Sequence, residues 1–144
     1  MNSALFTQYG EGFSPTISPD GKEIIVTRNN RTSGRGEIWS IHIESGQETL
    51  ILSDSRRGFS SPRISPDGKK IVCVGISPGE SNKPLNLDLY LVSIDGTGLT
   101  QVTFHPGSDV SPVWGPEGDR LYFISQRGNS QGAWNVWSMN VPEL

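Results

Sequence analysis

Few side chains in this chain are suited to making or breaking bonds. Among 144 residues there are two histidines, His42 and His105, and one cysteine, Cys73. A metal site needs several such ligands at matched spacings. His42 follows the strand-like run around Trp39, and His105 directly precedes Pro106. They read as a polar strand residue and a loop residue, and no metal is expected. Cys73 sits in the apolar run Ile71-Val72-Cys73-Val74 and reads as a small buried hydrophobe, not a nucleophile. No serine occupies a Gly-x-Ser-x-Gly elbow. Gly34-Arg35-Gly36 lacks the strand-to-helix setting in which glycines cradle a phosphate. Asp20, Asp67 and Glu117 could offer oxygens to calcium, but each sits in a Pro-x-Gly turn where a bond to the backbone suffices. Those turns are expected to stand far apart. No catalytic residue, metal or cofactor is therefore predicted.

What remains is a set of mostly cationic residues. Arg28, Arg31, Arg35, Arg56, Arg57, His105, Asp109 and Arg127 all fall in segments read as loops, and Thr16 and Arg63 each come directly after a Ser-Pro pair. Together they suit an anionic ligand or an acidic peptide, although a solvated loop face would look the same. Net charge is −3, without the basic excess of a dedicated nucleic-acid binder. No apolar run is long enough to span a bilayer, so no membrane is predicted. The start, Met1-Asn2-Ser3-Ala4-Leu5-Phe6, lacks the form of a secretory signal. The expected compartment is thus the cytoplasm, or the periplasm if a signal has been removed.

The elements that hold these residues are set by a repeat. Ser14-Pro15-Thr16-Ile17-Ser18-Pro19-Asp20-Gly21-Lys22-Glu23-Ile24 recurs as Ser61-Pro62-Arg63-Ile64-Ser65-Pro66-Asp67-Gly68-Lys69-Lys70-Ile71. A third copy is Ser111-Pro112-Val113-Trp114-Gly115-Pro116-Glu117-Gly118-Asp119-Arg120-Leu121. Proline presets the turn and glycine accepts its left-handed end. A continuous apolar strand comes next (Ile24 to Thr27, Ile71 to Val74, Leu121 to Ile124), as expected when both faces are covered. Polar loops lead to a third strand marked by Trp39, Tyr90 or Trp137, and these rings are expected to be buried between blades. A fourth strand, Thr49-Leu50-Ile51-Leu52 or Leu99-Thr100-Gln101-Val102-Thr103, completes two of the repeats. Short strands at a period of about 40 to 50 residues are the signature of propeller blades. The fold class read from the sequence is all-β, a β-propeller with three four-stranded blades. Blade 1 spans about 14–53, blade 2 about 61–104 and blade 3 about 111–144. The last repeat lacks its fourth strand, and the orphan Ala4-Leu5-Phe6-Thr7 matches it, so residues 1–13 are read as completing that blade.

Ser-Pro-x-Ile-Ser-Pro-Asp-Gly-Lys, the aromatic strand and Leu-Thr together resemble the TolB-type β-propeller repeat, also called the WD40-like PD40 repeat. The resemblance covers nearly the whole chain and departs from the pattern at Gly115 and Glu117. It implies four-stranded blades, six in the TolB propeller, and a non-catalytic platform that binds a protein or peptide on its loop face and in its channel. Three blades do not close a ring. The expected partner is a second copy, giving a homodimer with one six-bladed ring; a segment of a longer chain is the other reading. Alternative functions are a self-assembling structural or engineered half-propeller without its own ligand or, further off, a saccharide-acting lyase or hydrolase, since some related propellers are lyases. Others cap peptidases of the prolyl oligopeptidase type, but no such catalytic domain is visible in this sequence.

Overall fold

The computed structural model describes residues 6–76, 85–128 and 132–143. These residues form antiparallel strands and no helix. The first sheet has the order β1 (Phe13–Ile17), β2 (Glu23–Asn29), β3 (Gly36–His42), β4 (Glu48–Leu52). The second runs β5 (Gly58–Ile64), β6 (Lys70–Ile76), β7 (Leu87–Ser93), β8 (Thr100–Gln101). The third has β9 (Asp109–Trp114), β10 (Arg120–Ser125) and β11 (Asn135–Asn140), with no fourth strand among the described residues. Strands β1, β5 and β9 begin the three sheets, and β5 touches both β1 and β9.

The repeated turn closes by side-chain bonds that the third copy lacks. The Ser18 hydroxyl donates to Asp20 Oδ1 at 2.6 Å and accepts from the Glu23 amide, while the Lys22 amide also donates to Asp20 Oδ1. Ser65, Asp67, Lys69 and Lys70 repeat the set. These hydroxyl and amide donors hold both aspartates below the usual carboxylate range. In the third copy Gly115 removes the hydroxyl, and the turn is closed by backbone bonds, from the Gly118 amide to the Gly115 carbonyl at 3.0 Å and from the Gly115 amide to the Arg120 carbonyl at 2.9 Å.

Each innermost strand carries one defect at the same place. Between β5 and β6 the register passes from Ser60↔Val74 to Arg63↔Val72, so β5 holds an extra residue. The same slip separates Phe13↔Thr27 from Thr16↔Ile25 and Ile124↔Val110 from Tyr122↔Val113. The first residues of the three Ser-Pro pairs, Ser14, Ser61 and Ser111, are the described non-glycine residues with positive φ, at 51°, 52° and 53°. A single extra residue in a left-handed conformation makes a β-bulge, which bends its strand and re-aims the side chains beyond it. The proline after each serine donates no hydrogen bond, so its place beside the gap in the ladder costs little.

The core lies between sheets. Ile25 and Ile38 of the first sheet pack on Ile71, Cys73, Tyr90 and Val92 of the second. Val72 and Leu91 meet Leu121 and Trp114 of the third, while Val74 and Leu89 meet Phe123. Phe59 meets Tyr90 edge to face, with ring centroids 5.7 Å apart. Counting from the marker serines makes Ile25, Val72 and Tyr122 equivalent. Pairing with the second strand of each sheet makes Ile38, Leu89 and Val136 equivalent as well. The four residues at the two internal seams are fully buried, whereas Tyr122 is 39% and Val136 71% exposed. The front face of the third sheet is thus an interblade face that no described residue covers at Tyr122 and Val136. At the other end Ile17 and Leu50 of the first sheet are exposed on the face turned from the second.

Some expectations need correction. Tyr90 is buried and Trp39 half-buried, but Trp137 is 37% exposed, because among the described residues no strand lies on the outer side of β11, whose other edge pairs with β10. β10 alternates between buried and exposed residues because its front face is open. The loops are shorter than read: Arg28 lies within β2, whose ladder with β3 continues to Asn29↔Gly36, and Asp109 is the first residue of β9. The first and second repeat turns are not far apart, since Asp20 and Asp67 line one cleft. Ala4 and Leu5 of the orphan Ala4-Leu5-Phe6-Thr7 fall outside the described residues. Residues 6–12 form no strand and are exposed, Phe6 by 86%.

Cys73 is buried among apolar side chains, and that burial pushes its thiol up to about 12. Thiol reagents are expected to label it only as fast as the protein opens. Rapid stoichiometric labelling of the native chain in a timed disulfide-exchange assay would contradict this placement.

Candidate functional site

The loop end of the sheets gathers most of the expected residues, but most of their charges are already in use. Arg28 Nη1 donates to Glu48 Oε2 at 2.9 Å, Nη2 donates to Oε1 at 3.3 Å, and Nε donates to the Glu11 carbonyl. Its guanidinium also lies 5.0 Å from the Trp39 ring centroid. It clamps the entering chain to the first blade, and its bonds hold the Glu48 carboxyl below its ordinary range. Arg31 reaches Glu11 at 3.3 Å with both side chains largely exposed, a pair of small worth. Arg57 Nη1 donates to the Tyr90 hydroxyl at 2.5 Å, pairs with Asp54 and lies over the Tyr90 ring. Arg127 Nη2 donates to Asp109 Oδ2 at 2.6 Å, and its Nε donates to the Ser125 hydroxyl. Asp109 is fully buried, so Arg127 serves as its counter-ion rather than as a free hand for a ligand.

Thr16 and Arg63 stand one step past the bulges on β1 and β5, opposite Ile25 and Val72. Arg63 folds back, and its Nη1 donates to the Pro62 carbonyl. His105 accepts from the Gly107 amide through Nδ1 at 2.9 Å, and its carbonyl accepts from Asn86. His42 ends β3, where its ring accepts from the Ser45 amide. The two histidines therefore hold different turns. Among the described residues no three His, Cys, Asp or Glu side chains form a metal-binding group.

Arg56 differs from the others. Its amide donates to Asp54, but its exposed guanidinium has no partner among the described residues. Arg35 is in the same state. The two border a cavity of about 490 Å³ between the first two blades, with Phe13, Asn29, Phe59, Ser60, Ile76 and Leu85 among its other walls. Grouping loop residues by face could point to Arg35 and Arg56 only as two cations among several. Which arginines stay unpaired depends on partners distant in sequence, such as Glu48 for Arg28.

Sequence reasoning missed a buried polar junction between the second and third blades. Asn86 Nδ2 donates to Asp88 Oδ2 at 3.1 Å, the Leu87 amide reaches the Ser108 hydroxyl at 3.4 Å, and Asp109 lies close enough to influence Asp88. Neither Asp88 Oδ1 nor Asp109 Oδ1 has a hydrogen-bond donor among the described residues. Burial pushes the Asp88 carboxyl above its ordinary value, the Asn86 bond works against that, and the Asp109 charge adds to it. A raised native pKa means that the ionised form costs stability above that pKa, and the cost disappears below the unfolded value. The stability of Asp88→Asn relative to the parent is therefore expected to fall as the pH is lowered from neutral toward the unfolded carboxylate value of about 4. Melting temperatures of both proteins across that range test it, and a rising difference would show that Asp88 is stabilised as a carboxylate.

The sequence pattern of the TolB beta propeller domain (PD40) matches residues 2–143. The Tol-Pal system protein TolB of Anaeromyxobacter dehalogenans is 38% identical over 101 residues, covering 70% of this chain and 21% of that protein. The chain thus spans about a fifth of the length of that relative. TolB from Acinetobacter baumannii superposes with a TM-score of 0.67 at 19% identity, over 93% of this chain and 31% of that one. The tricorn protease superposes with a TM-score of 0.65 at 19% identity, over 92% of this chain and 13% of that one. Likeness at such identity shows the fold and not the activity. With three register-matched repeats, a bulge in each inner strand and a pattern match over nearly its whole length, the chain belongs to the TolB beta propeller domain family.

Proposed function

We propose that this chain is half of a non-catalytic propeller that binds a protein or peptide on its loop face and in its channel, and that two copies close one six-bladed ring. The observation that supports this reading is the open front face of the third blade. Tyr122 and Val136 occupy the positions through which Ile25 and Ile38, and then Val72 and Leu89, pack on the next blade. The exposed Ile17 and Leu50 mark the complementary back face of the first blade. The same front-to-back contact, made twice across a half-turn, leaves no open face.

Kinship with a Tol-Pal system protein supports a protein partner, and a periplasmic rather than a cytoplasmic workplace. Arg35 and Arg56 on the loop face, whose guanidiniums have no partner among the described residues, support an acidic one. Thr16, Arg63, Arg28, Arg31, Arg57, His105, Asp109 and Arg127 remain in the proposed site as the frame around that face and the channel mouth. Light scattering on a sizing column is expected to give the mass of two chains at micromolar concentration. A well-folded single chain under those conditions would overturn the closed ring.

A further inference from the structure

The cavity between the first two blades has the chemistry of a specific recess. Phe59 is buried at its base, while Phe13, Ile76 and Leu85 supply further apolar surface. Arg35 and Arg56 border it with guanidiniums that no described side chain neutralises. The contrast with Arg28, Arg57 and Arg127 carries weight, because those three are each held by a carboxylate and lie over an aromatic ring. An apolar hollow with a few polar groups at its edge is the usual make-up of a binding recess, and guanidiniums favour carboxylates. A free inorganic anion would leave the apolar walls and most of the 490 Å³ unused. A purely apolar ligand would leave both cations unanswered.

We propose that this cavity seats an extended peptide segment in which acidic side chains flank a bulky apolar one. The apolar side chain enters the hollow over Phe59, and the carboxylates meet Arg35 and Arg56. This inference rests on the loop face being a binding platform and names the chemistry of what it binds. The recess lies within one chain, between its own first two blades, so it is complete in each half of a ring.

The test uses the intact chain and two fluorescein-labelled peptides, Gly-Glu-Phe-Glu-Gly and its analogue with both glutamates replaced by glutamine. Fluorescence anisotropy is expected to show saturable binding of the acidic peptide, weaker by roughly tenfold for the analogue, and falling as salt is raised. Arg35→Gln and Arg56→Gln are each expected to weaken binding about five- to tenfold, and the double variant to abolish it. Both side chains are exposed and have no partner among the described residues, so the variants are expected to melt like the parent. Amide signals of Gly36, Gly58 and Ser60 are expected to move on titration. No binding of the acidic peptide, equal binding of both peptides, or undiminished binding by the double variant would overturn the proposal. If the peptide binds but moves the amides of Thr16 and Arg63 and not those of Gly36 and Gly58, this recess is refuted while the wider platform stands.

Discussion

The Val136→Asp substitution is expected to convert a two-chain particle into single chains. Val136 is 71% exposed within one chain, so the carboxylate costs the isolated chain little. In the closed ring the same position corresponds to Ile38 and Leu89, which are fully buried. A carboxylate taken into such an apolar seam costs several kcal/mol unless it is paired. A two-chain ring contains the seam twice, so the penalty acts twice on one association constant. Dissociation is expected to strengthen by on the order of a thousandfold or more. Light scattering across a dilution series gives the mass, and circular dichroism checks that the chain stays folded. Deleting residues 1–12 attacks the same assembly from the other side, by removing the segment proposed to lie along β11. That variant is expected to leave open edges and to give insoluble or irregular oligomers. A clean dimer from Val136→Asp or from the truncated chain would show that the halves associate elsewhere.

Tyr90→Ala is expected to cost about 3–5 kcal/mol of folding stability, because it removes a large ring from a packed interior. The ring meets Phe59 edge to face and sits in the cluster between the first two blades. Its hydroxyl accepts from Arg57 and donates to Gln101 at 3.2 Å, so truncation also strips a half-buried arginine of one partner. Tyr90→Phe keeps the ring and is expected to cost only about 1–2 kcal/mol, the worth of the lost hydrogen bonds. Trp137→Ala, at the equivalent repeat position, is expected to cost less than Tyr90→Ala, since its ring already meets solvent. Urea unfolding at matched protein concentration ranks the three variants, and equal losses at Tyr90 and Trp137 would break the link between burial and cost.

The fold was legible because its signals are local. Ser18-Pro19-Asp20-Gly21 contains the hydroxyl, the carboxylate and the glycine that close its own turn, so four letters determine its geometry. That no fourth strand lies beside β11 among the described residues could likewise be counted from the period. The candidate site was less legible because pairing decides it. Arg28, Arg31, Arg57 and Arg127 look as available as Arg35 and Arg56 in the sequence. Apart from Asp54 beside Arg57, the partners Glu48, Glu11 and Asp109 lie 17 to 20 residues away along the chain, and only folding brings them together. The exposure of Trp137 had a similar origin. An aromatic in a repeat was assigned the environment of its siblings, although no fourth strand lies beside it among the described residues. The left-handed serines offered no sequence cue, since serine is an ordinary strand neighbour and is not marked for positive φ.

The three bulges separate what each blade must conserve from what it can change. Upstream of the bulge, Phe59 is committed to the interblade core; downstream, Ile64 and Trp114 are committed as well. The residue just past the serine and proline is threonine in one blade, arginine in the next and valine in the third, on strands that are otherwise superposable by count. The kink thus acts as an insulated socket, in which a side chain can be exchanged without renegotiating its neighbours' packing. A ring of such sockets gives evolution, or a designer, one independently editable letter per blade around a common axis. Libraries confined to positions 16, 63 and 113 should therefore yield folded proteins at a much higher rate than libraries of equal size at positions 25, 72 and 122.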